Sequence, residues 1–106
     1  MTDKELLELA AKAAGISLIT ISTFYKDDWI NFWNPLTDDG NALHLAVRLK
    51  LDISINRGTI AATWYDEAIS ETHEIFEYFD FDTDSECLYA VRRAIVRAAA
   101  EIGRKM

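Results

Sequence analysis

The sequence predicts an α+β fold in which three helices pack on a largely antiparallel sheet of about five strands, in the order α-β-β-α-β-β-β-α. Two observations predict it. Three segments repeat apolar residues at helical spacing, and segments rich in β-branched and aromatic residues lie between them, joined by short polar turns. The 106 residues, 50% of them hydrophobic, fit a single domain from residue 1 to residue 106.

The first predicted helix spans Asp3–Ala14. Thr2 and Glu5 have the spacing of a capping box, in which each side chain satisfies a free backbone N–H at the helix start. Gly15 follows at the position where a left-handed residue ends a helix. The segment therefore carries both a start signal and a stop signal.

A β-hairpin is predicted next, with strands Ile16–Tyr25 and Trp29–Trp33 joined by the polar turn Lys26–Asp28. Asn34-Pro35 ends the second strand, because proline cannot donate a hydrogen bond to a neighbouring strand. The buried face of this hairpin stays open, since both faces contain apolar residues.

The second helix is predicted over Asp39–Lys50, after the capping segment Thr37–Gly40. One face of this helix is apolar, and His44 and Arg48 lie on the other side.

The rest of the chain predicts an antiparallel meander and a closing helix. The strands are Leu51–Asn56, Thr59–Tyr65 and Thr72–Phe79, and their connections are short enough for hairpins. The helix spans Asp84–Ile102, with Thr83 as its N-cap.

Charge is distributed unevenly along the chain. The formal net charge is −7, which disfavours a broad grip on nucleic-acid phosphates. Residues 58–86 contain nine acidic residues and no Lys or Arg, whereas residues 87–106 are net positive. We expect carboxylates of this region to gather on one open face that binds a basic protein surface. These are Asp66, Glu67, Glu71, Glu74, Glu77, Asp80 and Asp82. The alternative is that the same residues serve solubility and helix-dipole complementarity alone.

No catalytic residue, metal site or cofactor is predicted. The acidic run Asp80–Glu86 has carboxylates at alternate positions, as an EF-hand loop does, but Ser85 and Val91 replace the required glycine and glutamate. Cys87 is the only cysteine, so it can form neither an internal disulfide nor a cysteine-rich zinc site.

Arg92 falls inside the apolar arc of the closing helix, where an unpaired charge is costly. An ion pair with an acid of the sheet is one interpretation. The functional alternative is a site for an anionic or nucleotide ligand formed by Arg92, Arg48, His44 and Trp33. A weaker hypothesis is an enzyme that uses His44 or His73 with a nearby carboxylate.

The segment Phe32–Leu49, with the block Asn-Pro-Leu-Thr-Asp-Asp-Gly, and the opening Met1–Gly15 resemble a family of small uncharacterised proteins of tailed phages and prophages of Gram-negative bacteria. The matching stretches cover roughly a third of the chain. The resemblance implies a phage accessory protein acting in the host cytoplasm, and it supplies no catalytic residues. Small acidic phage proteins often bind host machinery, including defence systems, so it also implies a host-protein partner.

Together these observations predict a non-enzymatic cytoplasmic protein that binds a basic surface of a host protein through an acidic face. The start of the chain is unlike a signal peptide, and no apolar run is long enough to span a membrane. No direct nucleic-acid or membrane partner is expected, and a homodimer is left open. The alternatives are a protein that sequesters a small anionic ligand and a structural protein.

Overall fold

The computed structural model of the chain describes residues 1–16, 33–80 and 83–106. In these ranges the helices are α1 (Asp3–Ala14), α2 (Asp39–Arg48) and α3 (Asp84–Arg104), and the strands are β1 (Asp52–Asn56), β2 (Thr59–Asp66) and β3 (Glu71–Tyr78). The six elements predicted for these parts of the chain are confirmed, with ends that differ by no more than two residues. The α+β fold class is confirmed as well.

The sheet of the described residues has three antiparallel strands in the order β1-β2-β3, rather than about five. The two further predicted strands, Ile16–Tyr25 and Trp29–Trp33, lie outside the described residues apart from Ile16 and Trp33. Neither of these two end residues belongs to a strand. The three strands form the predicted meander, because each is joined to the next by a short turn.

Each helix begins at a side-chain cap. Thr2, Asp38 and Thr83 each accept a hydrogen bond from the backbone N–H three residues later, at 2.8–3.2 Å. Gly15 ends α1 in the left-handed conformation, with φ of 73°. The caps explain why local sequence located these boundaries so closely.

Helices α1 and α3 approach each other closely through small side chains. Ala10 and Ala11 of α1 are fully buried, as is Ala99 of α3. At Gly103 the helices are so close that an added Cβ would lie 2.9 Å from the carbonyl carbon of Leu9, and closer still to its oxygen. This position therefore requires glycine.

Helix α3 also covers one side of the sheet, which we call the inner face. Ile60, Ala62 and Trp64 of β2 are buried there and form a core cluster with alanines of α3. Alternate residues of each strand point to the opposite side, which we call the outer face. Within the described ranges, no helix is long and apolar enough to cross a membrane.

Candidate interaction surface

The alternation of side chains along β3 divides the predicted acidic set between the two faces. His73, Ile75 and Glu77 are partly buried on the inner face, whereas Glu74 is exposed on the outer face. Positions 71, 74 and 77 are three residues apart, and a strand repeats every two, so they cannot all share one face. The expectation that Glu71, Glu74 and Glu77 form a single acidic surface is wrong.

Glu77 is neutralised by arginines of α3. Its side chain is 16% exposed and accepts a hydrogen bond from Arg97 Nη1, and its Oε1 lies 3.7 Å from Arg93 Nε. Arg97 Nη1 also donates to the carbonyl of Phe76 at 2.9 Å, and Arg93 reaches Asp3 of α1 at 3.4 Å. Glu77 therefore fastens β3 to α3 and does not belong to an open acidic face.

A second acidic group lies at the end of the β2–β3 hairpin. Asp66 and Glu71 are directly opposite each other in the strand register, and Glu67 follows in the connecting turn. Like charges in this arrangement repel each other across the strands. Asp80 is exposed after β3, and Asp82 lies outside the described residues.

Five of the seven predicted carboxylates are therefore divided among the outer face, the inner face and the hairpin end, while Asp80 follows β3 and Asp82 is not among the described residues. Of the six that are described, Glu74 alone belongs to the outer face, where it is joined by Asp52, which the sequence interpretation did not include. The register aligns Asp52, Thr63 and Glu74 across the three strands.

In the described strands, the outer face carries exposed aromatic rings and no Lys or Arg. Tyr65, Phe76 and Tyr78 are 58%, 42% and 74% exposed, and the rings of Phe76 and Tyr78 stack with centroids 6.4 Å apart. The remaining outer-face side chains in the three strands are small or polar. These are Ser54, Asn56, Thr59, Ala61, Thr63 and Thr72. Strand parity with Glu74 was the sequence signal that could have located Phe76 and Tyr78 on this face.

The four residues proposed for an anionic ligand do not meet. Arg92 Nη1 lies 2.7 Å from Asp39 Oδ1, and its Nε donates to the carbonyl of Leu36 at 2.8 Å. The ion pair expected for Arg92 exists, but its acid belongs to α2 rather than to the sheet. Arg48 lies at the other end of α2, about 13 Å along the helix from Asp39.

The other two members of that set also lie apart. Trp33 packs in the hydrophobic core, in a cluster that contains none of Arg92, Arg48 and His44. His44 is exposed on α2. The predicted pocket of Arg92, Arg48, His44 and Trp33 is therefore not formed.

The histidines show no catalytic arrangement within the described residues. His73 stacks on Trp64 with ring centroids 5.4 Å apart, and its Nε2 is buried without a hydrogen-bond partner. His44 lies on α2, a different element. No group of three or more His, Cys, Asp or Glu side chains in the described parts of the chain is placed to hold a metal ion.

Comparison with protein-family models, with curated proteins and with solved structures returns no match.

Proposed function

We propose that this chain is a non-enzymatic interaction protein, of the phage accessory type, which binds a basic surface of a host protein through its outer face. The observation that carries the proposal is the combination of three exposed aromatic rings with two carboxylates and no Lys or Arg in the described strands of that face. The proposed place of action is the host cytoplasm.

The aromatic rings favour a protein partner over a purely solubilising role. Exposed charge is enough to keep a protein soluble, and it does not need large apolar rings beside it. Tyrosine and phenylalanine are enriched in protein interfaces, where a few buried aromatic side chains supply most of the binding energy. The stacked pair Phe76–Tyr78 offers such an anchor on β3, the edge strand of the described sheet.

The charge of this face selects a basic partner. Asp52 and Glu74 lie on either side of Thr63, and no described cation on the face neutralises them. A negative surface attracts a basic one over roughly one Debye length, about 8 Å at physiological ionic strength, and this attraction weakens as salt is added. A nucleic acid would instead need cations between the rings.

The test combines identification of the partner with charge reversal. The protein is used to capture host proteins at low and high salt, and the captured candidate is purified and titrated by calorimetry. Asp52→Lys and Glu74→Lys should each raise its Kd at least tenfold at low salt. Glu8→Lys is the matched control, because it makes the same charge change on an exposed position of α1.

The expected pattern has three parts: weaker binding for both outer-face variants, wild-type binding for Glu8→Lys, and a Kd that rises with salt. Equal losses in all three variants would show that only net charge matters, and the outer face would then lose its assigned role. Unchanged affinity in Asp52→Lys and Glu74→Lys would contradict the proposal directly.

A further inference from the structure

A cleft of about 450 Å³ lies between the end of the β2–β3 hairpin and the last turn of α3. This volume is in the range of small-ligand pockets, roughly 300–1,000 Å³. Apolar side chains from three elements contribute to its wall, and they are Leu49 after α2, Trp64 of β2 and Ile102 of α3. The cleft does not include Asp52 or Glu74, and it shares Tyr65 with the outer face.

Trp64 supplies an aromatic wall whose position is held by the fold. Its ring stacks on His73, with centroids 5.4 Å apart and planes at 26°, and the residue is only 8% exposed. A ring that is already ordered loses little conformational freedom when a ligand packs against it. This side of the cleft is therefore preorganised to pack against an apolar or aromatic group of a ligand.

Two carboxylates line the same cleft opposite a single cation. Asp66 and Glu67 lie at the hairpin end, and Lys105 is the residue that follows α3. Asp66 Oδ1 accepts the backbone N–H of Ala68 at 3.0 Å, which orients this carboxylate and leaves its other oxygen available. Neither carboxylate forms an ion pair among the described residues.

The surroundings increase the negative potential of the cleft. Glu71 lies directly opposite Asp66 in the strand register. The C-terminal end of α3 reaches the cleft at Ile102, and a helix C-terminus carries the negative end of the helix dipole. Lys105 has a long flexible stem and can move its ammonium group into solvent when a cation enters.

We propose that this cleft binds a small organic cation, namely a primary amine attached to an aromatic ring. The ring packs against Trp64, Leu49 and Ile102, and the ammonium group donates hydrogen bonds to Asp66 and Glu67. This site goes beyond the proposed docking function and does not depend on it.

The probe pair is phenethylamine and 3-phenylpropionate, which share a phenyl ring and differ in the sign of their charge. Each is titrated into the full chain to millimolar concentration, and backbone amide NMR signals are followed. Phenethylamine should shift the signals of Ala68, Ile102 and Lys105 saturably, with a Kd at least tenfold below that of 3-phenylpropionate. Equal binding of the two probes, or no saturable shift at these positions, would overturn the proposal.

Two variants test the carboxylates without changing the shape of the cleft. Asp66→Asn and Glu67→Gln should each raise the Kd for phenethylamine about fivefold or more, which corresponds to the loss of a charge-assisted hydrogen bond. Glu74→Gln is the matched control, since it removes the same charge from the outer face and should leave this Kd unchanged. Wild-type affinity in both cleft variants, with folding checked by circular dichroism, would also overturn the proposal.

Discussion

The close contact between α1 and α3 at Gly103 predicts a large loss of stability from adding a single methyl group. In Gly103→Ala, the new Cβ would lie 2.9 Å from the carbonyl carbon of Leu9 and closer still to its oxygen. Both atoms belong to the backbone of α1, so no side-chain rotation can relieve the overlap. The helices must move apart, or one of them must bend.

The size of the effect follows from two opposing contributions. Carbon atoms prefer a separation of about 3.5–4.0 Å, so the Leu9 carbonyl carbon alone requires α1 to move by about 0.6 Å, and the nearer carbonyl oxygen requires more. Gaps of this size forfeit a quarter or more of each contact's attraction. Overpacking in a tight interface costs about 1–3 kcal/mol, and the rigid backbone contact places this site at the upper end. The higher helix propensity of alanine offsets about 1 kcal/mol of this loss in unfolding free energy. The net loss of unfolding free energy should be about 2 kcal/mol.

Urea unfolding followed by circular dichroism measures this loss, and Gly40→Ala is the matched control. Gly40 is in the first turn of α2, and its added Cβ would meet Oδ1 of the N-cap Asp38 at 3.2 Å, a side-chain atom that can shift by a few tenths of an ångström while it keeps its hydrogen bond from the Asn41 N–H. Gly40→Ala should therefore be neutral or slightly stabilising. If Gly103→Ala were as stable as Gly40→Ala, the argument that α1 and α3 require glycine at their contact would be refuted.

Two further predictions concern ionised groups. Glu77→Gln should lower the unfolding free energy by about 1–2 kcal/mol, because it leaves Arg97 and Arg93 of α3 without their shared carboxylate. The control Glu74→Gln should change the unfolding free energy by less than about 0.5 kcal/mol. Equal effects of the two variants in urea unfolding would contradict the assigned role of Glu77. The hydrogen bond from Arg104 lowers the pKa of Glu101 below its ordinary value, so this pair stabilises the fold above the unfolded-state pKa of Glu101 and is lost as pH falls through the folded-state pKa. Carbon NMR titration should show that Arg104→Gln raises the pKa of Glu101, and an unchanged titration would refute the pairing.

The elements could be predicted from sequence because their signals are local. Thr2, Asp38 and Thr83 lie within three residues of the N–H groups that they cap, and apolar periodicity identified the segments between them. The prediction of a single acidic surface was wrong because it was inferred from the composition of residues 58–86 rather than from the two-residue repeat of a strand. The partner of Glu77 is also invisible locally, since Arg97 is 20 residues away and the contact exists only after α3 folds onto the sheet.

Strand alternation and the position of α3 together determine which carboxylates of the sheet are neutralised and which remain exposed. On the inner face, Glu77 meets Arg93 and Arg97 of α3, and its charge is cancelled inside the fold. Glu74 is three residues earlier in the same strand and points away from α3, so its charge remains available to a partner. The uncompensated part of the net charge of −7 therefore lies at positions where α3 supplies no neutralising arginine. Within the described strands, these positions are on the outer face, where the aromatic rings are also exposed, and at the hairpin end with Asp66 and Glu71.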